Sequence, residues 1–218
     1  MISRKTPQFL AGDTLLFEVR NQKHNQSQLK DFIHFIKYCG RRGPIRFKHI
    51  EERAELMSNL TLKENLLLDL GMRDNTDKSI SDLLHKEEHH ALAKLMDCIE
   101  DEKIYPPDAS TQDKKIISLI KILFHKTDYL FLEKPEKFLD ESIQSIFFDA
   151  LLASKEKFNQ TILMTSDQRN LWNTHITKII CKGPNGHFRL EDPVRHHDTS
   201  NVTTVDFQKT EHNSKKAA

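Results

Sequence analysis

YLFLEKPEKFLD, residues 129–140, sets four apolar residues ahead of Glu133, Lys134 and Pro135, followed by a Leu139-Asp140 pair. A short continuous apolar run reads as a buried strand, and its charged groups come at the end, where a strand leaves the core. ESIQSIFFDALLASKEKF (141–158) has a helical pattern and TILMTS (161–166) is a further apolar strand. Strand, helix and strand in that order predict a parallel sheet with a helical crossover.

The same rhythm runs upstream. TLLFEV (Thr14–Val19) is a predicted strand, the polar run Arg20–Gln26 a loop, and SQLKDFIHFIKYC (Ser27–Cys39) an apolar-periodic helix. GRRGP turns the chain into a second short strand, IRFKHI (Ile45–Ile50). Thr61 and Glu64 have capping-box spacing ahead of LKENLLLDL, which Gly71 ends. From Met72 to about Pro107 the chain is charged and helical in pattern, and KKIISLIKILF (Lys114–Phe124) is a further helix. A short helical insertion is therefore expected at about residues 72–117. HITKIIC and HFRLE flank GPNG as a predicted hairpin. Few apolar residues follow Pro193, so 192–218 is expected to be a disordered tail to a single domain over 1–191.

The 33 basic and 32 acidic side chains nearly cancel, to a formal net charge of +1, which gives no reason to expect a nucleic-acid partner. The three cysteines are far apart with no C-x-x-C, against a disulfide framework or zinc knuckle and in favour of a reducing compartment. The opening MISRKTPQFLAGD lacks a signal-peptide core, and no apolar run is long enough to span a bilayer. The expectation is a soluble chain that meets a membrane only through a partner.

Taken in order, these pieces resemble the nucleotide-binding domain of ABC transporters over roughly residues 8–190. Gly12-Asp13 stands where such domains carry Gly-Glu, RNQKHNQSQL (20–29) falls on the phosphate loop, and NLTLKENLLL (59–68) on the stretch after the Q-loop. ASTQD (109–113) falls on the signature, YLFLEKP on Walker B, KFLD (137–140) on the D-loop, and MTSD (164–167) on the strand that ends in the switch histidine. The resemblance implies a P-loop NTPase-like α/β core with a mainly parallel sheet and a short helical insertion.

The departures bear on function. Arg20, Lys23 and Asn25 stand for glycines of the phosphate loop and Gln26 for its lysine, while Ser27 keeps the magnesium-binding hydroxyl position. Without those glycines the backbone N–H groups cannot close around phosphates, although the loop stays basic. Glu133 stands for the Walker B aspartate and Lys134 for the glutamate that would activate water. A protonated ammonium cannot accept that proton. Lys134 is expected to pair with Glu133, Glu136 or Asp140. Asp167 replaces the switch histidine and Glu52 the Q-loop glutamine. In the signature Ser110 is kept, but Thr111 and Gln112 replace two glycines. Leu139 and Asp140 preserve the D-loop pair. Few residues precede Gly12, so the usual N-terminal strands and adenine-stacking aromatic are not expected.

HKEEH (85–89) matches the H-x-x-E-H pattern of inverted zinc hydrolases, yet Lys86, Glu87, Glu88 and His90 make its surroundings a solvated face. Cys39 and Cys181 sit in apolar patterns as core thiols. Trp172 suits either a core position or a partner-facing anchor. Phe131, Phe138, Phe147, Phe148 and Phe158 read as core.

What the resemblance implies is a pseudo-ATPase: a cytoplasmic, membrane-peripheral binding or regulatory subunit without catalytic residues, metal or cofactor. Its partners would be an ABC-type permease, another nucleotide-binding subunit, or both, with the permease in a groove lined by residues near Glu52–Asn65 and by the insertion. Weak Mg-ATP binding stays open. The alternatives are a divergent NTPase that binds and hydrolyses ATP through Glu133 and Ser27, a stand-alone regulatory protein, and an unrelated α/β domain with the same rhythm.

Overall fold

The computed structural model describes residues 8–18, 28–41, 43–71, 78–183 and 185–193. Its centre is a six-stranded sheet of β1 (Thr14–Glu18), β2 (Phe47–Ile50), β3 (Tyr129–Glu133), β4 (Thr161–Thr165), β5 (Lys178–Lys182) and β6 (Phe188–Glu191). The spatial order is β2-β3-β4-β1-β5-β6, with the first five strands parallel and β6 antiparallel to β5. The expected hairpin around GPNG is present. The strand expected from His175 starts instead at Lys178, because Ile176 is already packed in the core and Thr177 bonds back to Thr14.

Alternation along each strand divides the core in two. Leu16, Leu130, Leu132, Ile162, Met164 and Ile179 point to one face. Against them pack α2 (Leu62–Leu70), α3 (Ile80–Lys86), α4 (His90–Met96), α5 (Thr111–Leu123) and α6 (Glu141–Phe158). Leu15, Phe17, Phe131, Leu163 and Ile180 point the other way, onto α1 (Leu29–Tyr38). That second core is aromatic: Phe17 meets Phe32 edge-on at 5.4 Å between centroids, and Phe32 lies 5.2 Å from Phe131. Rings of this size let a ten-residue helix cover the face. Of the phenylalanines expected in the core, Phe131 and Phe147 are fully buried, whereas Phe138, Phe148 and Phe158 are half-buried.

The ENL of NLTLKENLLL has a local explanation in three parts. The Thr61 side chain accepts from the Glu64 N–H, while the Glu64 carboxylate accepts from the Thr61 N–H, closing the expected capping box. Asn65, 1% exposed, accepts from the Met57 N–H and donates to the carbonyls of Met57, Leu60 and Thr61. Leu66 fills the core. Gly71 ends α2 in the left-handed conformation that glycine adopts without strain.

Asn65 therefore fixes the path of the chain from β2 into α2. Asn65→Leu keeps the volume and strands several buried polar groups at once, so its expected effect on urea unfolding is a loss of about 3 kcal/mol, from a range of about 1–3 kcal/mol for each unsatisfied group.

Candidate functional site

Because five strands are parallel, their C-terminal ends lie on one edge of the sheet, the usual place for a ligand in an open α/β sheet. Glu133 ends β3, Lys134 follows it, Glu52 lies just past β2 and Asp167 just past β4. Arg20, Lys23, Gln26 and Ser27 lie outside the described residues.

Lys134 begins a turn in which the Lys137 N–H bonds to the Lys134 carbonyl and Pro135 takes the second position. Its φ of 44° is in the left-handed region, unfavourable for a lysine. The Lys134 ammonium sits 2.8 Å from the Asp167 carboxylate and 3.2 Å from that of Glu52. The expected partners Glu133, Glu136 and Asp140 are engaged elsewhere. Their Cα atoms precede or follow Lys134 around the turn, whereas the parallel neighbours bring Glu52 and Asp167 in from either side. Lys137 also bonds to the Glu52 carboxylate.

These contacts set the protonation states. Partial burial pulls the Lys134 ammonium down, but its bonds to Asp167 and Glu52 outweigh this and hold its pKa above the ordinary lysine value. Desolvation pushes the Glu52 carboxyl up, and Lys137 and Lys134 together bring it below its ordinary range. At neutral pH Lys134 therefore carries its proton and Glu52 its negative charge.

Glu133 faces the α1 side of the sheet. Its carboxylate accepts from the Gln28 N–H at 2.7 Å and pairs with His49 Nε2 at 2.8 Å. His49 had no motif to mark it in the sequence, whereas Gln28 lies within the stretch 20–29 set against the phosphate loop. Glu136, 2% exposed, accepts from the Ser166 hydroxyl at 2.6 Å and from the Trp172 indole N–H at 3.3 Å. Trp172, in α7 (Arg169–Trp172), is fully buried and belongs to the core.

The signature and D-loop positions meet each other. Gln112 donates to the Asp140 carboxylate at 3.1 Å, and the Asp140 N–H donates back to the Gln112 amide oxygen at 2.8 Å. Ser110 caps α5 by accepting from the Asp113 N–H. Thr111 lines a cleft of about 350 Å³ with Arg53, Ala54, Lys114 and Phe138, and Leu139 is buried in the core.

HKEEH is not one helical face. α3 ends at Lys86, Glu88 has a φ of 59°, and α4 starts at His90, which leaves His85 against His90 and His89 against the Phe124 ring. Among the described residues no three His, Cys, Asp or Glu side chains gather closely enough for a metal ion. Burial pushes the thiols of Cys39 and Cys181 up to about 11 and about 12, so neither is a thiolate at neutral pH.

Lys115 escaped the sequence reading. Its residue is 0% exposed, and its ammonium donates to the carbonyls of Glu51 at 3.1 Å and Glu52 at 3.0 Å. The available signal was its spacing, one turn ahead of Leu119 on the apolar stripe of α5. Burial brings its pKa down to about 8, against attraction from Glu136, Glu52 and Glu133. Between pH 8 and the ordinary lysine value the unfolded chain holds this proton and the folded chain does not, so stability from this group rises with pH across that window. Lys115→Met removes the titration. The stability difference between native protein and variant should move in favour of the native protein by about 2 kcal/mol between pH 7 and pH 10, read from urea midpoints at each pH.

No family model matches the chain, and no curated protein matches it. Among the described residues no helix is long and apolar enough to cross a membrane. Solved structures do match. One, described as a metal-chelate type ABC transporter in an inward-facing conformation, superposes with a TM-score of 0.57 at 14% identity, covering 85% of this chain and 74% of the other. A second, an ATP-binding subunit of an ABC transporter, gives 0.54 at 14% identity over 78% of this chain and 74% of its own. The parallel sheet, its strand order and its helical layer give this chain the fold of ABC transporter ATP-binding subunits.

Proposed function

We propose that the chain is a non-hydrolysing ABC-ATPase-like subunit, a binding or regulatory component of an ABC transporter-type membrane complex, held at the cytoplasmic face of the membrane through its partners. The observation that carries this reading is the ion-paired Lys134. Where hydrolysis needs a group to accept a proton from water, the chain has an ammonium fixed between Asp167 and Glu52. Three positions that resemble the base, the Q-loop and the switch carry charges that satisfy one another.

Two further arrangements agree with it. Glu133, at the magnesium position, is already bonded by His49 and the Gln28 N–H. Gln112 and Asp140 bond within the chain, in the regions with which such a subunit would face a second nucleotide-binding subunit.

For the permease, the sequence pointed to the surface past β2. There a cleft of about 320 Å³ is lined by Lys48, Ile50, Arg53, Asp69, Lys121 and Ile122 among others. Met57 and Tyr105, 54% and 49% exposed, flank the start of α2, where the Leu62 N–H meets the Ile104 carbonyl. Exposed side chains of this size are suited to a partner surface.

Calorimetric titration with millimolar magnesium-ATP is expected to give no binding heat, and a phosphate-release assay no turnover above a buffer blank. Micromolar binding, or turnover that Glu133→Ala abolishes, would replace this reading with that of a divergent NTPase. Failure to co-purify with any permease or ATPase subunit from its own cells would favour a stand-alone regulatory protein.

A further inference from the structure

Residues 51–61, between β2 and α2, carry no regular helix or strand, yet the start of this segment is held from three directions. From α5, the buried Lys115 ammonium donates to the carbonyls of Glu51 and Glu52. From the turn after β3, Lys134 and Lys137 both grip the Glu52 carboxylate. From beyond β4, Asp167 holds Lys134 on its other side at 2.8 Å. Further along, Asn65 pins Met57 by both its N–H and its carbonyl.

A loop of this length loses considerable conformational entropy on being fixed, and isolated surface ion pairs return little of it. Here the pairs are not isolated. Four charges share one network, with the side chains of Lys134 and Glu52 only 22% and 33% exposed, and the two carbonyl bonds come from a lysine with no exposure. The left-handed backbone at Lys134 is an independent sign of over-determination. A non-glycine residue persists there when its surroundings require it, and what this conformation accompanies is an ammonium lodged between Asp167 and Glu52.

We propose that Lys115, Lys134 and Lys137 form a built-in latch that fixes the segment after β2 to α5 and to the central strands with no ligand bound. Glu51, Arg53, Ala54 and Glu55 of this segment form one wall of the cleft at Lys48, Asp69 and Lys121. The latch therefore sets the shape of that cleft permanently. For a docked partner, a consequence that rests on the function proposed above, the docking face is already formed and its occupancy does not follow nucleotide.

The test is amide hydrogen exchange on the full chain without nucleotide, comparing the native protein with Glu52→Gln, which removes both lysine pairs while keeping size, and with Lys134→Met/Lys137→Met. Peptides over 51–60 should exchange about tenfold faster in both variants, while α2, α5 and β3 keep their native rates. The native protein in molar salt should move the same way without any substitution, which keeps the test valid if a variant fails to fold. Unchanged exchange over 51–60 in the variants and in salt would overturn the latch. The nucleotide titration is separate. Faster exchange in Glu52→Gln together with magnesium-ATP binding would keep the latch and remove the non-hydrolysing reading, and unchanged exchange with calorimetric silence would do the reverse.

Discussion

The ammonium of Lys134 between two carboxylates is the interaction on which the strand-end edge depends. A carboxylate from beyond β2 and another from beyond β4 would repel each other across the end of β3 if nothing stood between them. The ammonium at the middle position offsets that repulsion by pairing with both. The same cation organises the backbone around it. Lys134 takes a left-handed φ, Pro135 turns the chain, and Glu136 goes inward to Ser166 and Trp172 rather than outward.

Behind this edge lies a framework that serves folding whatever the edge does. Thr61 and Glu64 close a capping box, Asn65 satisfies four backbone groups, and Leu66 and Leu139 fill the core. Each of these residues answers a requirement of packing or backbone satisfaction, and none needs a ligand. That framework builds the fold of ABC transporter ATP-binding subunits without drawing on the charges at the edge.

Lys115 joins the two parts. It is buried among helix residues of the framework and reaches out to the carbonyls that lead into the edge. A lysine in such a place has its charge penalised by burial and is tolerated because it donates to two carbonyls and three carboxylates lie within reach of its field.

Much of the architecture was legible because it depends on periodicity. The period of two in TLLFE, YLFLE and TILMT assigns each side chain to a face, and the alternation of strands with helices requires parallel pairing. The capping box and the GPNG hairpin were readable for the same reason, since both are contacts between near neighbours in the chain. By itself, then, the sequence determined the fold class, the order of its elements and the presence of charged side chains at Glu52, Lys134 and Asp167. What only the tertiary structure decided was who pairs with whom. Lys134 chose Glu52 and Asp167 over its neighbours in the chain, Glu133 took His49, Gln112 took Asp140, and HKEEH was split by a turn. The pairings of Lys134 and Glu133 follow from strand order, which brings residues 52, 134 and 167 to one edge and sets β2 beside β3, and a contact set by pairing between distant strands leaves no local pattern from which to read it.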